Sequence, residues 1–337
     1  MHVLCLGGGF YGTHISAALV ADGHDVELRE IANQLFAGSS GNIPARGHRG
    51  QHYPRSKLTR MACQEHFAEF MARYGDFTHG VPVNLYCIAE HDSLMDFGTY
   101  CQVLRGEIEF ITVERPSEFG LQNVEGAILT GERHILVDKL RDHFAKVLSG
   151  HIHLNAAPGL PDDVNFDAII DATFCAHDQI GIDRFEACLT VLLEGPVDRS
   201  VTIMDGKFPS LYVWDESRNL CSLTSAKWTP LATYPTWKEA RHFLNKCPTT
   251  LIEKHAKAMF SQMEFYLPRI RDEYRIVDYR TAIRALPRSA ADARLCEVIR
   301  VGERGIRIRA GKLDAIFHAE RQVKRLLSEM SGERKAA

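Results

Sequence analysis

Short apolar runs alternate with stretches of helical periodicity along most of this chain. Residues 3–6 form an apolar tetrapeptide, the length of a buried parallel strand. Ile15, Ala18 and Leu19 then recur at helical spacing, which predicts a helix over 11–21 that Gly23 ends. Val26 and Leu28 alternate as a second strand. Lys57–Tyr74 reads as an amphipathic helix with Leu58, Met61, Phe67, Phe70 and Met71 toward one face. Further helices are predicted over 93–104, 136–148, 250–265 and 311–327, and from a Thr236/Glu239 capping box to about 244. Strands are predicted at 81–90, 107–113, 151–155, 166–173, 274–286, 295–301 and 305–310. Between 187 and 224, four short strands divided by Gly, Pro, Asp and Asn predict an antiparallel sheet. Residues 31–56 lack periodicity and read as a long loop, and long loops inside compact domains are usually functional.

The first strand, helix and second strand enclose Gly7, Gly9 and Gly12 in the spacing G-x-G-x-x-G, followed by Glu30 at the end of the second strand. The glycines serve three physical ends: a tight turn at Gly7, backbone approach to a pyrophosphate at Gly9, and helix-to-strand packing at Gly12. The phosphates would rest on unpaired N–H groups at the helix N-terminus, including those of Phe10 and Tyr11. Glu30 lies 18 positions beyond Gly12, where a carboxylate accepts from ribose hydroxyls and repels a 2′-phosphate.

Composition narrows the class without naming a substrate. The chain has 337 residues, 45% hydrophobic and 25% charged, with a formal net charge of −3. That balance excludes a general attraction to nucleic acid or to acidic membranes. No apolar run approaches a membrane span, and the N-terminus lacks a secretory signal. The nine cysteines form no C-x-x-C pair, which is the usage of a reducing cytoplasm. The sequence leaves the oligomeric state open.

The chain resembles the FAD-dependent oxidases and dehydrogenases of the D-amino acid oxidase, glycine oxidase and sarcosine oxidase superfamily. Four stretches carry the likeness: the fingerprint ending in Glu30, "GSSGN" at 38–42, "DAIIDAT" at 167–173, and "GIRIRAGKLDAIFHAERQVKRLL" at 305–327. The segment "GQHYPRSKLTRMAC" at 50–63 is similar to the 2-hydroxyglutarate dehydrogenase branch. The chain departs from the family at one place: Ala172-Thr173 are followed by Phe174, where the family has glycine.

The resemblance implies a mixed α/β fold, with a Rossmann-like FAD-binding domain and an inserted antiparallel substrate domain. It places 1–80, 134–180 and 280–331 in the FAD domain, 81–133 and 181–279 in the substrate or cap domain, and 332–337 in a frayed tail. FAD would be held by Gly7, Gly9, Phe10, Tyr11, Gly12, Glu30, Ser39, Ser40, Asn42, Ala172, Thr173, Gly311, Lys312 and Leu313. Of these, the last three would stabilise negative charge at the flavin N1/O2 edge. His52 or Tyr53 would face the flavin as a base or a shape determinant. Arg284, which with Arg288 brackets "RALPR", would pair with a substrate carboxylate. Tyr212 and Trp214 would form the pocket ceiling.

His48 and His52 are four apart, but no third ligand is spaced nearby, so no metal is expected. His151 and His153 read as structural. The implied activity is removal of a hydride from a C–N or C–OH carbon of a small carboxylate-bearing molecule, with electrons passed to oxygen or another acceptor. The alternatives are an NAD-dependent dehydrogenase and a non-catalytic nucleotide-binding protein of the same fold. The long loop after the second strand and the interruption of the Rossmann pattern by strands favour FAD over an NAD-dependent dehydrogenase, and the single glycine-rich turn argues against reductases that hold a second dinucleotide.

Overall fold

The computed structural model describes residues 1–156, 165–177, 179, 181–287 and 296–336. Its mixed α/β architecture rests on two large sheets and one small one. The first sheet runs in the order Glu297–Val301, Gly305–Arg309, Ala168–Asp171, His2–Leu6, Asp25–Arg29, Ile152–His153. Every neighbouring pair is parallel except the edge pair Glu297–Val301 and Gly305–Arg309. Val3, Leu4 and Cys5 are fully buried because both faces of this sheet are covered. Helices Phe10–Ala21, Lys57–Tyr74, Val137–Val147 and Ile316–Ala336 contribute to its core, where Phe10, Phe36, Phe70, Tyr74, Phe144 and Phe317 meet edge-on or stacked. The four central strands run one way, so Gly7, Glu30, Ala172 and the turn around Gly311 gather at one end of the sheet. That is the ligand-binding edge of an open α/β sheet.

The second sheet has nine strands, in the order Pro230–Tyr234, Ile182–Glu194, Leu220–Ser225, Pro209–Asp215, Arg199–Met204, Val83–Ala89, Val124–Leu129, Ile111–Val113, with Arg275–Pro287 also paired to Ile182–Glu194. It is mixed, since Arg199–Met204 runs parallel to Val83–Ala89. The four strands expected between 187 and 224 pair antiparallel with one another, and the parallel pair joins them to Val83–Ala89. Residues 280–287, which the resemblance assigns to the FAD domain, continue the strand Arg275–Pro287 of this sheet. Alternation marks a strand but carries no record of which sheet supplies its partner.

The small sheet joins Arg46–Gly47, Arg133–Ile135 and Thr78–Gly80. Within the expected loop 31–56 it supplies one short strand, and Ser39–Asn42 forms one helical turn. Three other readings shift. The helix expected over 93–104 begins at Phe97, with Asp96 as its N-cap. In Lys57–Tyr74, Leu58 (69% exposed) and Met61 (55%) face outward, while Thr59, Arg60 and Cys63 are buried. Arg60 decides that rotation, donating to the carbonyls of Tyr53 and Pro54 and to Glu107. The tail expected to fray continues as helix to Ala336, and Glu333 accepts two hydrogen bonds from Arg300 at 2.8 and 2.6 Å.

Candidate active site

The glycine turn fits closely against the strand beside it. Gly7 has φ +100°, and a Cβ there would sit 2.8 Å from the Ala172 carbonyl oxygen. A Cβ on Gly12 would sit 1.9 Å from the Gly7 carbonyl oxygen. Gly9 differs, since a Cβ there would meet only the Ser40 Oγ at 3.2 Å. Gly9 is thus the open face of the turn. The Phe10 side chain belongs to the core; its N–H, in the first helical turn, donates to Ser40 Oγ at 3.0 Å. Glu30 turns its carboxylate inward, accepting from Gly8 N–H at 2.6 Å and Ala32 N–H at 2.8 Å. The departure at Phe174 keeps the backbone of a glycine: Phe174 has φ 60° and Cys175 φ 64°. Left-handed conformations cost a non-glycine residue roughly 1–2 kcal/mol. Thr173 steadies the turn by donating to Asp171 Oδ1 through both its N–H, at 2.9 Å, and its hydroxyl, at 2.6 Å.

A polar cluster lies buried beneath the second sheet. In the small sheet Arg46 pairs with His134 and Gly47 with Arg133. The antiparallel register therefore brings His48 opposite Glu132. The Glu132 side chain is fully buried, with Oε1 3.0 Å from His48 Nδ1 and Oε2 accepting from Tyr86 OH at 2.7 Å. Burial pushes the Glu132 pKa up, but His48, Tyr86 and Arg46 together hold it below the usual carboxylate range. Burial and then the Lys312 ammonium push His48 down to about 4, outweighing Glu132. His48 is thus a neutral imidazole beside an ionised carboxylate, so its proton sits on Nδ1 and its Nε2 holds a lone pair.

Two cations converge on this group. Arg46 donates to Thr202 Oγ1 at 3.0 Å and Ser210 Oγ at 2.6 Å, and its Cζ lies 3.9 Å from the Tyr212 ring centroid. No carboxylate among the described residues forms an ion pair with it. Lys312 places its buried Nζ 3.6 Å from the Tyr53 ring centroid, without a hydrogen-bond partner. Tyr11 OH donates to the Lys312 carbonyl and fixes the turn that carries it. Gly311 begins this turn, and Leu313 packs on the first core. His52 lies 5.0 Å from the Tyr53 ring and 5.4 Å from that of His48, centroid to centroid. His52, Tyr53 and Lys312 therefore lie together and Tyr212 lies under Arg46, while Trp214 is only partly buried.

Other expected residues play different parts. Ser39 Oγ donates to the Ile283 carbonyl at 2.7 Å, and Asn42 Nδ2 donates to the carbonyls of Ala37 and Gly38. Ser39 ties the 38–42 turn to the second sheet, and Asn42 closes the turn on itself. Arg284 is engaged within the sheet: it lies opposite Glu186 in register and donates through Nε and Nη2 to Glu186 Oε2 at 3.0 and 2.5 Å. Its charge is already matched within the sheet. Arg288 lies outside the described residues. Sequence reading missed Arg46, Glu132 and Tyr86. The hydrogen bond from His48 to Glu132 spans 84 positions, and no local pattern signals it. Among the described residues no group of His, Cys, Asp and Glu is arranged for a metal.

The chain is 32% identical to the FAD-dependent monooxygenase FPY4 of Fusarium mangiferae, over 97% of this chain and 91% of that protein. The chain belongs to this family of FAD-dependent oxidoreductases. It is also 27% identical to the FAD-dependent monooxygenase kojA of Aspergillus flavus, over 76% of this chain and 69% of the other. No protein-family model matches it. Among solved structures, glycine oxidase from Geobacillus kaustophilus superposes with a TM-score of 0.68 at 15% identity, covering 97% of this chain and 94% of that one. Fructosamine oxidase from Aspergillus fumigatus superposes with a TM-score of 0.69 at 11% identity, covering 97% and 86%. These likenesses show the fold alone, which this chain shares with glycine oxidase and fructosamine oxidase.

The protein is an FAD-dependent oxidoreductase, and its residues fit the cofactor. The turn at Gly7, Gly9 and Gly12 has no room for side chains at Gly7 and Gly12 and an open face at Gly9, as pyrophosphate approach requires. The orphaned Lys312 ammonium is a buried cation in need of negative charge, which a flavin gains on reduction. Among the described residues no helix is long and apolar enough to cross a membrane, and none of the nine cysteines forms a disulfide.

Proposed function

We propose that the enzyme oxidises a carbon bearing a hydroxyl or amino group in a small anionic molecule, and that oxygen or another acceptor takes the electrons from FAD. One observation carries this: Arg46 and Lys312 are two buried cations with no ion-pair partner among the described residues, and they converge on a neutral His48. Glu132 offsets one positive charge, so one remains for an anion to meet. In this reading the Arg46 fork holds a carboxylate, the place expected of Arg284, while Lys312, Gly311 and Leu313 serve the flavin. When bound, FAD supplies a two-electron acceptor. The chain itself holds the reacting carbon in place and excludes water.

The names of the two fungal relatives favour a second reading, insertion of an oxygen atom into the substrate. Anaerobic stopped-flow mixing separates the two. Bleaching of the FAD by a small 2-hydroxy, 2-amino or N-methylamino acid, with no response to NADH or NADPH, supports the first. Rapid, saturable bleaching by a nicotinamide supports the second.

A further inference from the structure

We infer that His48 is the proton acceptor of the reaction, that Glu132 positions it, and that the group oxidised is a hydroxyl; this rests on the first reading above. An amine that reaches the site unprotonated has a nitrogen lone pair ready to form the C=N bond, and no proton has to leave first. An alcohol has no such lead: its O–H proton must depart as the C–H bond breaks, so a base within hydrogen-bond reach is needed. The site holds such a base with its orienting partner. Glu132 accepts from His48 Nδ1 at 3.0 Å and from Tyr86 OH at 2.7 Å, so both carboxylate oxygens are committed and the ring is locked. His48 Nε2 has no hydrogen-bond partner among the described residues, and 17% of the side chain stays exposed. A carboxylate this thoroughly buried is costly unless it matches a charge, and imidazolium supplies one at the moment the proton arrives.

The balance is simple. The substrate O–H bond breaks and its proton goes to Nε2. The O–H electron pair becomes the second C–O bond, while the C–H hydrogen leaves with two electrons for oxidised FAD. The proton on Nε2 then passes to solvent. Around His48 stand Glu132, Lys312, Arg46, His52, Tyr53 and Tyr86. Burial first, and then Lys312 and Arg46, oppose a further positive charge on the ring, which keeps the imidazole unprotonated and ready at neutral pH.

Two measurements on the FAD-loaded enzyme test this. Long-range 1H–15N NMR with labelled histidine should show His48 protonated at Nδ1 only from pH 6 to 8. Protonation at Nε2, or a cation at pH 6, overturns the assignment without any substrate. Second, paired 2-hydroxy and 2-amino acids with the same side chain are mixed anaerobically with wild type, His48→Gly and Glu132→Gln. Bleaching by the hydroxy acid should slow about 10²–10⁴-fold in His48→Gly, with FAD content unchanged, and added imidazole should restore part of it. Glu132→Gln should slow the reaction less and shift the acid limb of its pH profile, which a purely structural residue would not do. Bleaching by the amino acid alone, or wild-type rates in His48→Gly, overturns the base. Reduction by nicotinamides alone overturns the parent reading and leaves the NMR result to judge the dyad by itself.

Discussion

Lys312 lays its ammonium on the face of Tyr53, 3.6 Å from the ring centroid, with no hydrogen bond to satisfy it. A cation–π contact repays only part of the cost of burying an ammonium. The remainder is available to an anion, and sulfite, which drives negative charge onto the flavin on binding, reads this out without a substrate. Lys312→Met should retain FAD yet bind sulfite about 10²-fold more weakly, seen as a smaller loss of visible absorbance. Unchanged sulfite affinity would place Lys312 away from the flavin.

The glycines divide by what surrounds them. A methyl at Gly12 collides with the Gly7 carbonyl oxygen, whereas one at Gly9 meets only a serine hydroxyl. Gly12→Ala should lower the melting temperature and strip FAD together. Gly9→Val should leave apoprotein stability close to wild type and reduce FAD content alone. Differential scanning calorimetry and flavin-to-protein absorbance ratios distinguish these outcomes.

Arg284 and Arg46 should behave as opposites. The Glu186 side chain is 9% exposed, so Arg284→Met leaves its carboxylate only the longer 3.7 Å contact with Arg184 and should cost about 2–4 kcal/mol of stability. Adding Glu186→Gln should recover part of that loss, as read in denaturant midpoints. Arg46→Met should instead weaken binding of the anionic substrate or its unreactive analogue by about 2–5 kcal/mol. Full ligand affinity in Arg46→Met would return the search to another cation.

A pH effect follows from the first and last helices. His14 Nε2 lies 2.9 Å from Glu320, and its Nδ1 2.8 Å from Tyr74 OH. The His14 hydrogen bond, reinforced by Lys324, holds Glu320 down at about 2, from 4.5. Burial holds His14 below its usual 6.5 against the pull of Glu320. In both groups the folded state binds protons less readily than the unfolded chain. Their contributions are therefore present above the unfolded values and lost on acidification. Stability should fall first below pH 6.5, as unfolded His14 takes up a proton, and again from pH 4.5 towards 2. Glu320→Gln should flatten the second fall in urea titrations across that range. An unchanged slope would remove Glu320 from the acid transition.

Local sequence was enough to define the framework around the cofactor turn. Apolar runs and glycine spacing set the first strand, the first helix and the turn between them, since each depends on neighbours within a few residues. Lys57–Tyr74 and the Thr236/Glu239 capping box were legible for the same reason. The replacement of glycine at Phe174 was visible too, but only the backbone showed that the left-handed turn survives it. Charge pairing came from the folded chain alone. Arg284 reads as a substrate ligand until the register of two strands sets it against Glu186, and Arg46 reads as a loop arginine until the small sheet buries it over Tyr212. His48 becomes a candidate base only because the pairing of Gly47 with Arg133 brings Glu132 across from it. Whether a charge is neutralised depends on what lies within a few ångströms, and residues far apart in the chain reach that distance only through the strand pairing of the folded protein.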